Sequence, residues 1–290
     1  SVIPQVGLDY FFITKGGVKS RKELMDDYEL NPEGDDKLEH DRSEGKVVKA
    51  IIVRCKSAKA IFAHCVPCKG ADEQDYVANK VVEDILWLGY TELILKGDNE
   101  RSLQALIARI LTVVRVKIQQ DNEAIANTED TDTGVDGPEQ LAYRARADAV
   151  NGPVRRDPGD VDNTEPPERQ VRRLAKISSE KPPAYDSQSN GAVEVGVMLV
   201  RGLLRTLKLF LEHKIQKHIP IEHALVPWLL EHTALLLNVK TRGQDGLTAW
   251  ARVRGRPFSQ QLLGYGEQVL YKLPSKGPLS QPDGNMGAKW

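Results

Sequence analysis

The sequence predicts an α/β fold, a mixed sheet flanked by helices and interrupted by two polar insertions. Three observations support this prediction: short apolar runs typical of strands, apolar residues at helical spacing between them, and two long segments without apolar periodicity. Of the 290 residues, 40% are hydrophobic and 28% are charged, which allows a real core but leaves part of the chain unpacked. The predicted order is βββαβα, an insertion, and then three helices.

The first half of the sheet is predicted from three apolar runs. Residues 6–13 form a nearly continuous run, typical of a strand buried on both faces, and Asp9 alone interrupts it with a charge. Residues 15–46 lose this pattern and carry clusters of charged side chains, so we expect a solvated loop insertion that is disordered. Residues 47–54 and 58–66 are two further apolar segments, and together they indicate a hairpin.

A helix, a strand and a second helix come next along the chain. Residues 72–88 place apolar side chains at intervals of four, four and three, and Gly89 comes just past their end, which predicts an amphipathic helix. Residues 93–95 are a short buried strand that ends at Gly97 and Asp98. Residues 102–114 return to helical spacing.

The second insertion is acidic. Residues 121–183 hold 14 acidic and 9 basic side chains, a net charge of −5, and lack an apolar period. We expect this segment to be disordered, with residues 174–178 returning as a strand at its far end. Two long helices are then predicted, the first ending near residue 213 and the second over 221–239, with a shorter helix around Trp250 and an alternating, strand-like segment at 267–271.

Three carboxylates occupy positions that call for an explanation. Asp9 lies inside an apolar strand, where a buried charge is costly unless a cation or hydrogen bonds compensate it; the alternative is a strand-edge residue that faces solvent. Asp98 comes directly after a strand at its carboxyl end, where open α/β sheets place ligands, although Asp-Asn is also common turn chemistry. Glu194 opens a long helix.

The helix of Glu194 carries a polar stripe of cations. Positions that advance by four and three residues from Glu194 share one face and include Met198, Arg201, Arg205, Lys208 and Glu212. An apolar stripe lies opposite and is expected to pack on the sheet: Gly196, Val200, Leu203, Leu207 and Leu211. The stripe is either a solvated face or a set of phosphate contacts beside a metal-binding carboxylate. Residues 195–290 carry a net charge of +7, which favours a polyanionic partner without deciding the matter.

The segments around the three acids resemble the DDE triad of retroviral and retrotransposon integrases. The matching stretches are Leu8-Asp9-Tyr10-Phe11-Phe12, Lys96-Gly97-Asp98-Asn99-Glu100 and Ser189-Asn190-Gly191-Ala192-Val193-Glu194. The Ser-Asn-Gly-x-x-Glu stretch is the most specific, and residues 224–238, 245–250 and 266–271 are similar to the region C-terminal to the core in retrotransposon polyproteins. The acids are 89 and 96 residues apart, wider than the usual family spacing, and the two insertions account for the excess.

The resemblance implies a fold, a reaction and a set of partners. The fold is an RNase H-like catalytic core over residues 1–240, and residues 241–290 are a C-terminal extension that begins a truncated second module. The reaction is metal-dependent 3′-end processing and strand transfer of retroelement DNA into host DNA. Its partners are the element ends, the target DNA and further copies of the chain, in the nucleus or an intracellular retroelement particle.

The resemblance also assigns roles to residues. Asp9, Asp98 and Glu194 are the implied catalytic residues and the ligands of two Mg²⁺ or Mn²⁺ ions, since such ions prefer oxygen ligands and act as a pair in phosphoryl displacement. The implied DNA contacts are Asn190, Arg201, Arg205 and Lys208. Two other functions fit the same residues: a catalytically decayed nucleic-acid-binding relic of the fold, and a plain RNase H-like nuclease without strand transfer.

Other classes of protein find less support in the sequence. His64, Cys65 and Cys68 have the spacing of zinc ligands, but a second ligand pair is not found nearby, and buried cysteines at a strand end explain them better. Three cysteines rule out a disulfide framework and favour a reducing compartment, so we do not expect secretion. Apolar runs of membrane-spanning length are also missing. The chain begins at Ser1 rather than Met, which suggests a piece of a longer protein.

Overall fold

The computed structural model describes residues 3–29, 40–41, 44–129, 174–180 and 191–269. Its strands and helices, in chain order, are β1 (Gln5–Thr14), β2 (Gly17–Ser20), α1 (Arg21–Glu29), β3 (Val47–Cys55), β4 (Ile61–Cys65), α2 (Tyr76–Leu88), β5 (Glu92–Gly97), α3 (Arg101–Glu129), β6 (Lys176–Glu180), α4 (Gly191–Ile215), α5 (Leu225–Lys240) and α6 (Ala249–Arg254). Among these residues, no helix is both long and apolar enough to cross a lipid bilayer.

The six strands form one mixed sheet. Their order is β4-β3-β1-β5-β6, and β2 pairs with β1 outside this path. β1 runs parallel to β5, β5 runs parallel to β6, and β1 is antiparallel to β2. The predicted α/β fold with a mixed sheet flanked by helices is confirmed.

The chain divides into two compact units. The first comprises residues 1–9, 53–58 and 66–193, and the second comprises residues 10–52, 59–65 and 194–290. The boundary at residue 240 suggested by the sequence stays a prediction.

In the first unit, α2 and α3 pack together and α3 packs on β5. Asp72 starts α2, because its carboxylate accepts hydrogen bonds from the backbone N–H groups of Tyr76 and Val77. The guanidinium of Arg109 donates two hydrogen bonds to the carboxylate of Asp75, which joins α3 to the start of α2. α3 reaches Glu129, 15 residues beyond its predicted end, so the first residues of the predicted acidic insertion are helical.

In the second unit, β2 and α1 form where the sequence predicted the first part of a loop insertion over residues 15–46. Residues 17–29, expected to belong to a solvated insertion, form a strand and a helix. Ser20 and Glu23 make a reciprocal capping box, since the Ser20 N–H donates to the Glu23 carboxylate and the Glu23 N–H donates to the Ser20 hydroxyl. Leu24 is then buried against Phe12 and Val47, which stabilises the helix.

The helix α5 packs along β4 in the second unit. Asn238, buried in α5, uses both ends of its amide: its Oδ1 accepts from the Ile61 N–H at 2.8 Å, and its Nδ2 donates to the Ile61 carbonyl at 2.7 Å. His64 Nδ1 lies 3.0 Å from Oε1 of Glu231, which belongs to the same helix α5. Polar contacts therefore accompany the apolar packing of α5 on β4.

The buried face of α4 is rotated slightly from the predicted one. Of the predicted apolar stripe, Gly196, Val200 and Leu211 are buried, but Leu203 and Leu207 are only half-buried. The stripe that is buried also includes Val193, Val197 and Leu204. The predicted strand at 267–271 is not formed over its described part, residues 267–269.

Several predictions fall on residues outside the described ranges. They are the remainder of the first insertion at 30–39 and 42–43, the second insertion at 130–173 and 181–183, the end of the C-terminal extension at 270–290, and Asn190 with the preceding Ser189 of its motif. The far end of the second insertion does form the predicted strand, as β6.

Candidate functional site

Asp9 lies on β1, and Asp98 is the first residue after the end of the neighbouring parallel strand β5. The register pairs Leu8 with Gly97, so each aspartate directly follows one member of this pair. Neighbouring strands run about 4.8 Å apart, and paired positions of parallel strands project to the same side. The sequence predicted Asp9 inside a strand and Asp98 directly after one, and the register places the backbones of the two residues near each other.

Asp9 occupies the more open face of β1. In the first half of this strand buried and half-buried residues alternate, and Asp9 shares the half-buried face with Gly7, whereas Leu8 and Tyr10 point into the core. Only the second half, residues 10–13, is continuously buried as predicted for the whole strand. The open face leaves the Asp9 side chain partly solvated, which lowers the cost of placing a charge beside an apolar core.

Gly7 is where the start of α4 meets β1. A Cβ built on Gly7 would overlap the Cγ2 atom of Val193, whose side chain is 2% exposed. Glycine is therefore needed at this position for the close approach of a helix. Val193 immediately precedes Glu194 in the chain, and Gly7 is two residues before Asp9.

Asp98 is exposed and held by its own loop. Its Oδ1 accepts a hydrogen bond from the Asn99 N–H at 2.6 Å, and its carbonyl accepts one from Gln104 Nε2 at 2.7 Å. Gly97 is buried beneath α3, because a Cβ there would lie 2.7 Å from Ile107 Cδ1. The loop is also fixed by an ion pair of Lys69 with Glu100, whose Nζ and Oε1 atoms are 2.7 Å apart.

Glu194 is exposed in the first turn of α4. A carboxylate in this position is favoured by the helix dipole whatever its function. Across the described part of the chain, no three side chains of His, Cys, Asp or Glu are grouped as ligands for a metal ion. The three-carboxylate metal site therefore stays a prediction, although the paired oxygen donors of Asp9 and Asp98 suit Mg²⁺ or Mn²⁺ chemically.

Two of the three predicted phosphate-binding cations have carboxylate partners. Arg201 donates two hydrogen bonds to Glu23 of α1, and these bonds are the main cause that lowers the pKa of Glu23 to about 2. Lys208 Nζ lies 2.6 Å from Oε1 of Glu212 on the next turn. Arg205 lies on the exposed surface of α4. The stripe is thus partly neutralised within the protein.

Glu212 ends the stripe as a capping carboxylate. Its Oε1 also lies 2.8 Å from Nδ1 of His218 and accepts a hydrogen bond from the Ile219 N–H at 2.8 Å. Burial alone would raise the pKa of Glu212, but these donors and Lys208 together lower it. The residue therefore fastens the end of α4 to the turn after it.

The zinc-like spacing of His64, Cys65 and Cys68 has a structural explanation. Cys65 is the last residue of β4, as the strand-end interpretation predicted. Burial, with a smaller contribution from the nearby Glu231, raises the pKa of Cys65 to about 12. Ionisation of this thiol is therefore disfavoured, and zinc binds the thiolate form.

Sequence reasoning missed three residues that position the two aspartates. Gly7 and Gly97 permit the close approach of helices next to Asp9 and Asp98, and Gln104 anchors the loop of Asp98. A glycine inside a strand pattern is a recognised sign of close approach, so the first two carried a usable signal. Gln104 gave no such signal in the sequence, because its hydrogen bond to the Asp98 carbonyl depends on the position at which α3 begins.

Gly7→Ala is expected to reduce the free energy of unfolding by roughly 1 to 3 kcal/mol, because the new methyl group overlaps Val193 in a packed region. Gly202→Ala is the control. It lies in the interior of α4 with nothing within 4 Å of the added Cβ, so it should stabilise by about 0.5 to 1 kcal/mol. Urea unfolding of both variants measures the difference, and a neutral Gly7→Ala would contradict the close approach.

Comparisons with known proteins give structural neighbours only. No protein-family model matches the chain, and no curated protein has a significantly similar sequence. Among solved structures, the chain is similar to the catalytic core domain of BIV integrase, with 16% identity and a TM-score of 0.34 over 72% of this chain and 86% of that one. It is also similar to the simian T-cell lymphotropic virus intasome in complex with PP2A regulatory subunit B56 gamma, with 11% identity and a TM-score of 0.40 over 94% of this chain and 62% of that one.

Proposed function

We propose that this chain is the catalytic core of a retrotransposon-type integrase, which processes the 3′ ends of element DNA and joins them to host DNA. The observation that supports the proposal is the register of the parallel strands β1 and β5, in which Leu8 pairs with Gly97, so that Asp9 and Asp98 directly follow paired residues. The motif around Glu194 supplies the third acid.

Asp9, Asp98 and Glu194 are the residues that we propose as ligands of two Mg²⁺ or Mn²⁺ ions. When bound, such ions activate the attacking oxygen and stabilise the leaving oxygen of an in-line phosphoryl displacement. The chain contributes a rigid platform for its acids: Gly97 is packed under α3, and Gln104 holds the carbonyl of Asp98.

The proposed partners are the element ends, the target DNA and further copies of the same chain. Arg205, exposed on α4, is the stripe residue best suited to contact phosphate, whereas Arg201 and Lys208 would first have to leave Glu23 and Glu212. Such exchange is feasible for Arg201, because its pair with Glu23 is exposed and exposed ion pairs contribute only about 0 to 1 kcal/mol each. The pair of Lys208 with Glu212 is part-buried, so its exchange is more costly. Asn190 is a further proposed DNA contact, and the nucleus or a retroelement particle is the proposed location.

A second candidate function is a nucleic-acid-binding relic that has lost catalysis. One observation favours it: Arg201 and Lys208, two of the three stripe cations, are paired with acids of the protein itself. A plain RNase H-like nuclease is the third candidate.

One assay separates these candidates. The chain is incubated with a labelled blunt DNA end and a supercoiled plasmid, in Mg²⁺, in Mn²⁺ and in chelator. An integrase shortens the labelled 3′ end and transfers the label to the plasmid only with metal. A plain nuclease cuts without transferring the label, and a relic does neither, so either result would overturn the proposal.

A further inference from the structure

One side of α4 is exposed although it is largely apolar. It lies opposite the buried stripe, about half a turn around the helix. Its large side chains are between 38% and 66% exposed: Val195, Met198, Leu199, Leu209 and Phe210. Together with Gly202 and Thr206, which are also exposed, they are called the outer face below. Contiguous apolar side chains on a surface mark an interaction site.

The outer face carries no charge along its length. Every charged side chain from Glu194 to Glu212 belongs to the polar stripe described above. Thr206 adds little polarity, because its hydroxyl donates to the Gly202 carbonyl within the helix at 3.0 Å and its methyl group remains for packing. Removing this surface from water is therefore favourable.

Gly202 lies in the interior of α4, where glycine costs about 0.5 to 1 kcal/mol of stability relative to alanine. Among the described residues, no atom beyond its own stretch of helix lies within 4 Å of a Cβ built at this position. Packing within the chain therefore does not explain the glycine. A missing side chain on a helix surface lets another helix approach closely, so Gly202 favours a helix as the partner of the outer face.

The outer face matches itself when it is turned end to end. Val195 and Leu209 each lie seven residues from Gly202, on either side of it, and Gly202 is next to the midpoint of α4. In an antiparallel pair of these helices that cross at Gly202, Val195 of each copy would meet Leu209 of the other, and the two glycines would meet at the centre. Such contacts repeat about a two-fold axis, the commonest symmetry of protein dimers.

The charges at the two ends of α4 also favour the antiparallel orientation. A helix carries about half a positive charge at its N-terminus and about half a negative charge at its C-terminus, so antiparallel neighbours attract and parallel neighbours repel. The side chains agree, since the first turn contains the acidic Glu194 and the last turn the basic His213 and Lys214. A second copy of α4 therefore complements the first in both shape and charge.

The size of the outer face sets the strength of such a contact. From Val195 to Leu209 it spans about 21 Å of helix, and its width is roughly that of one helix, about 10 Å. The area covered per copy is then well below the ~800 Å² that each partner buries in a stable dimer. We therefore expect a weak dimer whose population depends on protein concentration.

We propose that the outer face of α4 binds the outer face of a second copy of this chain, as an antiparallel helix pair centred on Gly202. The inference rests on the proposed function in that further copies of the chain take part in it, and it deepens that function by naming the surface through which two copies meet. The contact requires neither metal nor DNA, and Arg201, Arg205 and Lys208 lie on the neighbouring stripe.

The test is sedimentation equilibrium of the full chain in chelator, at concentrations from about 1 to 500 μM. The wild type should pass from monomer to dimer over this range. Val195→Lys and Leu209→Glu should each weaken the dimer about ten-fold or more, because the new charge faces an apolar side chain of the other copy. A mixture of the two variants should dimerise again, since the introduced lysine and glutamate then face each other.

Two further variants complete the test. Val116→Lys is the matched control, because it places the same charge on an apolar residue of α3 that is 49% exposed, and it should leave the dimer unchanged. Gly202→Glu introduces a good helix former into open space, so the fold should be kept while the centre of the contact is lost. Circular dichroism verifies the helix content of every variant.

A wild type that stays monomeric at every concentration would overturn the inference and would leave the outer face to a different partner, such as an amphipathic helix of another protein. Dimers of undiminished strength in Val195→Lys and Leu209→Glu, or a mixture of the two that stays monomeric, would overturn it as well. The DNA-joining assay run in parallel keeps the two proposals apart. A dimer that joins no DNA refutes only the integrase function, and a monomer that joins DNA refutes only the helix pair.

Discussion

Asp98→Asn is expected to abolish metal-dependent processing and joining of DNA ends, with a loss of about three orders of magnitude or more. Asparagine keeps the size and the hydrogen-bonding capacity of the side chain but removes the negative charge that a divalent ion requires. A lost ligand costs several kcal/mol of transition-state stabilisation, and each 1.4 kcal/mol corresponds to about a factor of ten in rate. Initial rates of end processing in Mg²⁺ and Mn²⁺ measure the effect, and Asp9→Asn should behave in the same way.

The control for this experiment is Asp26→Asn, which removes an exposed carboxylate from α1. Its activity should equal that of the wild type. Asp98→Asn should also keep its DNA affinity in chelator, because the substitution removes a negative charge rather than a phosphate contact. A variant that retains a tenth or more of wild-type activity would show that Asp98 is not a metal ligand, and the pairing of the two aspartates would then be structural.

Asn238→Ala is expected to lower the free energy of unfolding by roughly 2 to 4 kcal/mol. The Asn238 amide satisfies both the N–H and the carbonyl of Ile61, a residue that is 2% exposed. Its removal leaves two buried backbone groups without these partners, and each such loss costs about 1 to 3 kcal/mol. Urea unfolding monitored by circular dichroism gives the value.

Thr233→Val is the matched control in the same helix. Thr233 is fully buried, but its hydroxyl donates only to the Leu229 carbonyl one turn earlier in α5. Valine has almost the same shape, so the loss should stay below about 1 kcal/mol. Equal effects of the two substitutions would mean that the Ile61 hydrogen bonds contribute little, and that apolar packing alone holds α5 to β4.

The sequence was sufficient for the elements whose apolar period is strong. The strands β1, β3 and β5 and the helices α2 and α4 are found where their spacing predicted them. Asp9 lies inside β1 and Asp98 directly follows β5, as predicted. The strand and helix over 17–29 were not predicted, because the charged residues in this segment leave no clear apolar periodicity. The apolar contact of Leu24 with Phe12 and Val47 is short and involves distant residues. The capping box of Ser20 and Glu23 was the available signal.

The candidate site was harder to predict than the fold, because its details depend on contacts between distant segments. Helical spacing correctly set Arg201 and Lys208 on one side of α4, yet it could not reveal that Glu23, 178 residues earlier, would pair with Arg201. The buried stripe of α4 also includes Val193, because glycine at position 7 allows this end of the helix to approach the strand. The helical periodicity of the sequence predicts which residues share a face of α4. Packing against other elements determines which part of that face is buried.

Asn238 has a consequence beyond its contribution to stability. β4 is the last strand in the order of the sheet, and a terminal strand offers its outward N–H and carbonyl groups to any extended segment of another molecule. Asn238 occupies both groups of Ile61, the first residue of that strand. The amide therefore leaves neither group of Ile61 open to an added strand, so the contact that anchors a helix also protects this position of the strand.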